Sequence, residues 1–161
     1  MIRKKLLVVD DEPGICEFIS EVTGDISFET IIATNTAEFI RAYTDDASVI
    51  ILDLLMPGTD GVEHLRFLSD GNCQAAILLI SGFDVGVLRA AEKLAIERGL
   101  WVIGTLQKPI RIADIHNALR NISAQAPSQA GQYVQPPGIR ELAIAITNGD
   151  INVHYQPQFG I

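Results

Sequence analysis

The chain has 161 residues, 48% of them apolar and 20% charged, with a formal net charge of −8. That length accommodates one ordinary domain with a short excess, and the apolar content excludes a disordered chain. The acidic balance argues against a nucleic-acid-binding surface, which needs clustered Lys and Arg, and reads most simply as a solubilising surface.

The first five residues, Met1-Ile2-Arg3-Lys4-Lys5, are basic, but the apolar run at 6–9 is too short for the core of a signal peptide. No stretch of the sequence approaches membrane-spanning length. Cys16 and Cys73 stand alone without metal-type spacing, so two free thiols in a reducing cytoplasm are expected. His64, His116 and His154 form no ligand pattern. A cytoplasmic protein with neither nucleic acid nor membrane as partner is the expectation.

In chain order, Leu6-Leu7-Val8-Val9 is a continuous branched run, as a strand covered on both faces should be, and it ends at Asp10-Asp11. A helical pattern over 12–23 follows, then a strand at 30–33 and a helix at 36–44. The run at 49–52 ends at Asp53 and leads through a Met56-Pro57-Gly58 turn into a helix over 61–69. The next strand, 76–80, ends at Ser81. Then comes a helix over 84–98 with one stripe through Val87/Leu88, Ala91, Leu94/Ala95 and Arg98, and Gly99 as the residue beyond its end. A last strand at 101–103 precedes Lys108-Pro109 and a helix over 110–122.

Strands alternating with helices predict an α/β fold, a doubly wound five-stranded parallel sheet with helices on both faces. In such sheets functional residues gather at the carboxyl ends of the strands. Taken singly, Asp11 is a plausible helix cap, Asp53 a solvated strand end, Ser81 a loop start and Lys108 a surface lysine. Taken together they converge on one edge. Close carboxylates repel, which raises at least one pKa and favours a hard divalent cation such as Mg²⁺. A cation and Lys108 would then let an anionic phosphoryl donor approach a carboxylate nucleophile.

Leu7-Val8-Val9-Asp10-Asp11-Glu12, the segment from Leu52-Asp53 to Asp60-Gly61, Ser81-Gly82 and Lys108-Pro109 together resemble the receiver domains of bacterial response regulators. The resemblance spans residues 4–122 and implies a flavodoxin-like sheet of strand order 2-1-3-4-5. It implies that Asp53 accepts a phosphoryl group from a sensor histidine kinase or phosphotransfer protein. Asp11 and Asp53 would hold Mg²⁺ directly with the Leu55 carbonyl, and Asp10 through a water. Lys108 would pair with phosphoryl oxygens, next to a Lys108–Pro109 peptide that is often cis in the family. Ser81 would move toward the phosphoryl group and act as the switch. The domain is then a signalling phosphoacceptor, not an enzyme with turnover.

This sequence departs from the family pattern in two ways. Thr105 stands where receivers commonly carry Tyr or Phe, so the aromatic arm of the switch is missing. The stretch from Gly99 to Lys108 is also longer than usual by about two residues, which predicts a late start or a bulge in the last strand. In addition, Leu55 and Phe83 are bulky neighbours of Asp53 and Ser81 that would hinder hydrolysis of the acyl phosphate.

Residues 124–138 are uncharged and rich in Gln, Ala and Pro, and read as an interdomain linker after a receiver at 1–123. Residues 139–161 read as a short helix, an Asn148-Gly149-Asp150 turn and a strand ending in Tyr155-Gln156-Pro157-Gln158. This segment resembles the opening of EAL-type cyclic di-GMP phosphodiesterase domains, in which Gln156 would touch the dinucleotide. The resemblance implies an EAL-type output domain in a longer parent. Two alternatives stand beside it. One is a lone receiver in which Ile144, Ile146, Ile151 and Val153 drive homodimerisation. The other is a flavodoxin-like binding module without phosphotransfer.

Overall fold

The computed structural model describes residues 4–82, 85–120 and 122. All of them lie in the first of two units, Met1–Ala126 and Pro127–Ile161. The linker at 124–138, the segment at 139–161, Gln156 and Phe83 lie outside the described residues. Among the described residues no helix is long and apolar enough to cross a membrane.

The order of elements is β1 (Lys4–Val9), α1 (Pro13–Gly24), β2 (Phe28–Ala33), α2 (Thr36–Ala42), β3 (Ala47–Asp53), β4 (Leu55–Met56), β5 (Thr59–Asp60), α3 (Gly61–Asp70), β6 (Ala76–Ser81), α4 (Val85–Glu97), β7 (Val102–Gln107) and α5 (Ile112–Arg120). A five-stranded sheet runs β2-β1-β3-β6-β7, with every pairing parallel. Counting only those five strands, this is the 2-1-3-4-5 order expected from the resemblance. The continuous apolar runs have the predicted cause, because the sheet is covered on both sides. Leu7, Val9, Ile50, Leu52, Ile77 and Leu79 face Phe39 of α2, Leu65 and Leu68 of α3, and Leu88, Ala91 and Ala95 of α4. Their alternates Leu6, Val8, Val49, Ile51, Leu78 and Ile80 face Cys16, Ile19 and Val22 of α1 and Ile115 and Leu119 of α5. Alternation along each strand serves the two cores at once.

Helix ends follow local chemistry. The Asn35 side chain accepts the Glu38 N–H, and the Glu38 carboxylate reaches back to the N–H and hydroxyl of Thr34, so α2 begins with a reciprocal cap. After α4, Gly99 takes φ +80° and the Leu100 N–H bonds the Ala95 carbonyl, a Schellman-type stop that needs the glycine. Of the stripe expected on α4, Leu88, Ala91 and Ala95 are buried and Leu94 is partly so, whereas Val87 and Arg98 are exposed. The helix turns Val87 toward solvent because α4 packs one face alone.

Two features are finer than the expectation. Residues 55–60 form a small antiparallel hairpin, β4 and β5, rather than a bare turn. On the last strand, Ile77 pairs with Val102 but Leu78 pairs with Gly104, so Ile103 is the extra residue of a bulge and the predicted irregularity is present. That strand runs on to Gln107, well beyond the predicted 101–103.

Candidate functional site: an acidic edge closed by Lys108

Four strand ends build the site. Asp10 follows β1, Asp53 closes β3, Ser81 closes β6, and Lys108 follows β7. Because β1 and β3 are neighbours with Val9 opposite Leu52, the carboxylates of Asp10 and Asp53 emerge side by side. Asp10 is 0% exposed and Asp53 2%. Each is oriented by a backbone donor two residues on: the Glu12 N–H bonds Asp10 Oδ1 at 2.9 Å, and the Leu55 N–H bonds Asp53 Oδ1 at 3.0 Å. Ser81 is also buried, and its carbonyl accepts the Lys108 N–H at 2.9 Å. The Lys108–Pro109 peptide is cis.

The Lys108 side chain turns back over this edge. Its Nζ lies 2.8 Å from Asp53 Oδ2, 2.9 Å from Asp10 Oδ2 and 2.7 Å from Glu12 Oε1. The first and last contacts are hydrogen bonds; the contact to Asp10 has the distance of an ion pair but not hydrogen-bond geometry, so Asp10 Oδ2 is buried without a hydrogen-bond partner. Burial raises the pKa of Asp10 and the charge of Asp53 adds to it, against the pull of the Glu12 N–H and of Lys108. For Lys108 burial works against the charge, but the hydrogen bonds to Asp53 and Glu12 and the ion pair with Asp10 outweigh it and hold the ammonium firmly protonated. The Cys16 thiol donates to the Asp10 carbonyl at 3.2 Å, and burial followed by the Asp10 charge pushes its pKa up to about 11. Cys16 is thus a packed thiol and not a nucleophile.

Asp10, Asp11 and Asp53 each offer a carboxylate oxygen, and these atoms lie within 4.8 Å of one another. Oxygen-only donors at this spacing suit a hard divalent cation.

The structure therefore brings together Asp10, Asp11, Asp53, Ser81 and Lys108. Leu55 sits at the rim with its side chain 40% exposed. Thr105 lies one step back, half-buried on β7 opposite Leu79. Asp11 is not the cap of α1: that position is Glu12, whose side chain makes no capping bond, with Pro13 at the first turn. Glu12 is the residue that sequence reading passed over. The signal was available, because a residue before proline is held extended and here starts a helix at the mouth of the acidic edge.

A family model described as the response regulator receiver domain matches residues 6–120. The chain is 26% identical over 136 residues to the positive alginate biosynthesis regulatory protein of Pseudomonas aeruginosa, covering 82% of this chain and 52% of that one. It thus spans about half the length of that relative. It is 29% identical over 116 residues to the cyclic di-GMP phosphodiesterase RocR of the same organism, covering 70% of this chain and 29% of that one. The structure of a response regulator from Colwellia psychrerythraea matches with a TM-score of 0.67 at 32% identity, covering 77% of this chain and 100% of that chain. The family match over nearly the whole described region, on a sheet of this order with this acidic edge, makes the chain a member of the response regulator receiver domain family.

Proposed function

We propose that Asp53 is the phosphoacceptor of this receiver and that Lys108 is its electrostatic partner. The observation that carries the reading is the Lys108 ammonium bonded to Asp53 Oδ2 at 2.8 Å inside a cluster of carboxylates. An Asp53 oxygen attacks the phosphorus of a phosphohistidine on a sensor kinase or phosphotransfer protein. A new P–O bond forms as the N–P bond breaks, and the bonding pair returns to the imidazole nitrogen. Lys108 keeps its proton throughout and neutralises part of the charge that accumulates on the phosphoryl oxygens.

Asp11 and Asp53, with the Leu55 carbonyl and with Asp10 through a water, would hold Mg²⁺, which supplies further positive charge at the phosphoryl oxygens. The spacing of the Asp10, Asp11 and Asp53 carboxylate oxygens, all within 4.8 Å of one another, supports that assignment. In this reading Ser81 answers the new group. Its hydroxyl lies at the end of β6, and its carbonyl is tied to the backbone of Lys108. Thr105, opposite Leu79 on β7, takes the position of the usual aromatic, so no swinging ring at that position carries the readout.

The output we assign to a longer parent is an EAL-type domain beginning in residues 139–161, with Gln156 among its dinucleotide contacts. The similarity to a cyclic di-GMP phosphodiesterase supports it. Intact-mass measurement after incubation with acetyl phosphate and Mg²⁺ tests the core of the proposal. The wild-type chain gains one phosphoryl group and Asp53→Asn gains none; uptake by Asp53→Asn would refute the assignment.

A further inference from the structure

Lys108 serves three carboxylates, and they are not equivalent. Asp10 and Asp53 are sealed in the edge, each with an oxygen held by a backbone N–H. Glu12 is different. Its side chain is 60% exposed, it makes no capping bond at the start of α1, and its Oε1 lies at 2.7 Å, the shortest of the three contacts to Lys108. A phosphoryl group arriving at Asp53 brings oxygens and negative charge that need the same ammonium, which three carboxylate oxygens already crowd within 2.9 Å. The partner that gives way is the one that water can solvate. Asp53 is the acceptor and Asp10 is buried in the edge, whereas Glu12 can release Lys108 and be hydrated at once.

We infer that Glu12 is a positioning residue that competes with the phosphoryl group for Lys108 and so restrains the phosphorylation of Asp53. The inference rests on the assignment of Asp53 as phosphoacceptor. In the unphosphorylated state Glu12 draws the ammonium toward the mouth of the edge and is the third carboxylate around it. During transfer from acetyl phosphate, an Asp53 oxygen bonds phosphorus, the P–O bond to the acetyl group breaks, and acetate leaves with the electron pair. The Lys108 N–H released by Glu12 passes to a phosphoryl oxygen. Glu12 touches no reacting atom; it acts through the lysine.

The test compares the 161-residue wild type with Glu12→Gln and Glu12→Ala, following phosphorylation by acetyl phosphate at saturating Mg²⁺ by intact mass over a range of ionic strength. Loss of the carboxylate should raise the rate in both variants by about 2–5-fold at low salt, the scale of a largely exposed ion pair. The advantage should shrink as salt screens the pair, a dependence that a purely structural role would not produce. Variants no faster than wild type, or slower with a raised Mg²⁺ requirement, would overturn the inference and in the second case place Glu12 with the cation ligands. A wild type that takes up no phosphoryl group would sink the phosphoacceptor reading and this inference with it, whereas uptake by wild type without acceleration in the variants would sink this inference alone.

Discussion

The two ends of the central sheet handle charge in opposite ways. At the carboxyl ends of the strands, Asp10 and Asp53 are buried against Lys108, which is itself only 12% exposed in its side chain. At the amino ends, Lys5 and Asp46 also pair across β1 and β3, but both side chains stand in solvent. The first arrangement takes charges out of water and sets two buried carboxylates against one ammonium. It is costly for a fold and useful for chemistry. The second costs nothing and contributes little. The apolar strands between them hold the fold together, so the acidic edge is free to be electrostatically strained.

Replacing Lys108 tests the buried end most severely. Lys108→Met keeps much of the length and removes the charge, and phosphorylation from acetyl phosphate should slow by about 10²–10³-fold, the usual effect of losing one preorganised stabilising group. A rate within about threefold of wild type would mean that the ammonium is not needed for transfer.

A smaller effect of opposite sign is expected at Asp10. Its pKa is raised, first by burial, so the folded state holds that proton more tightly than the unfolded chain does. Its charge therefore subtracts stability above the folded pKa, and the penalty fades as pH falls toward the ordinary carboxylate range near about 3.9. Asp10→Asn should raise Tm at neutral pH without Mg²⁺ by roughly 3–6 °C, the shift that about 1 kcal/mol produces in a domain of this size. The gap between variant and wild type should close as the buffer is acidified. Adding Mg²⁺ should also narrow it by stabilising the wild type more. Thermal melts across pH decide this, and a gap that widened toward acid would contradict the electrostatic account.

At the other end, Lys5→Ala should leave both Tm and the phosphorylation rate unchanged within measurement. A marked loss of either would break the contrast between a solvated pair and a buried one.

Much of this molecule was legible in the amino-acid order. The uninterrupted runs around Val8, Ile51 and Leu78 announce strands covered on both faces, because a half-exposed strand would alternate. Asp53, Asp10 and Lys108 are recognisable because charged residues terminate such runs at positions where a parallel fold places all strand ends on one edge. Gly99 marks the end of α4, since few other residues accept its positive φ. Even the irregularity of β7 was foreshadowed by the length of its segment.

Local order determined which residues could form strands, helices and a phosphoryl-accepting edge. Tertiary structure alone decided how the charges are shared. Glu12 and Lys108 are 96 residues apart, and their hydrogen bond exists because β1 and β7 deliver both to the same mouth. The hairpin at 55–60 and the exposure of Val87 are likewise outcomes of packing. The reason is physical: periodicity and termination are properties of neighbours in sequence, whereas the partner of an ammonium is whichever carboxylate the completed sheet brings within about 3 Å of it.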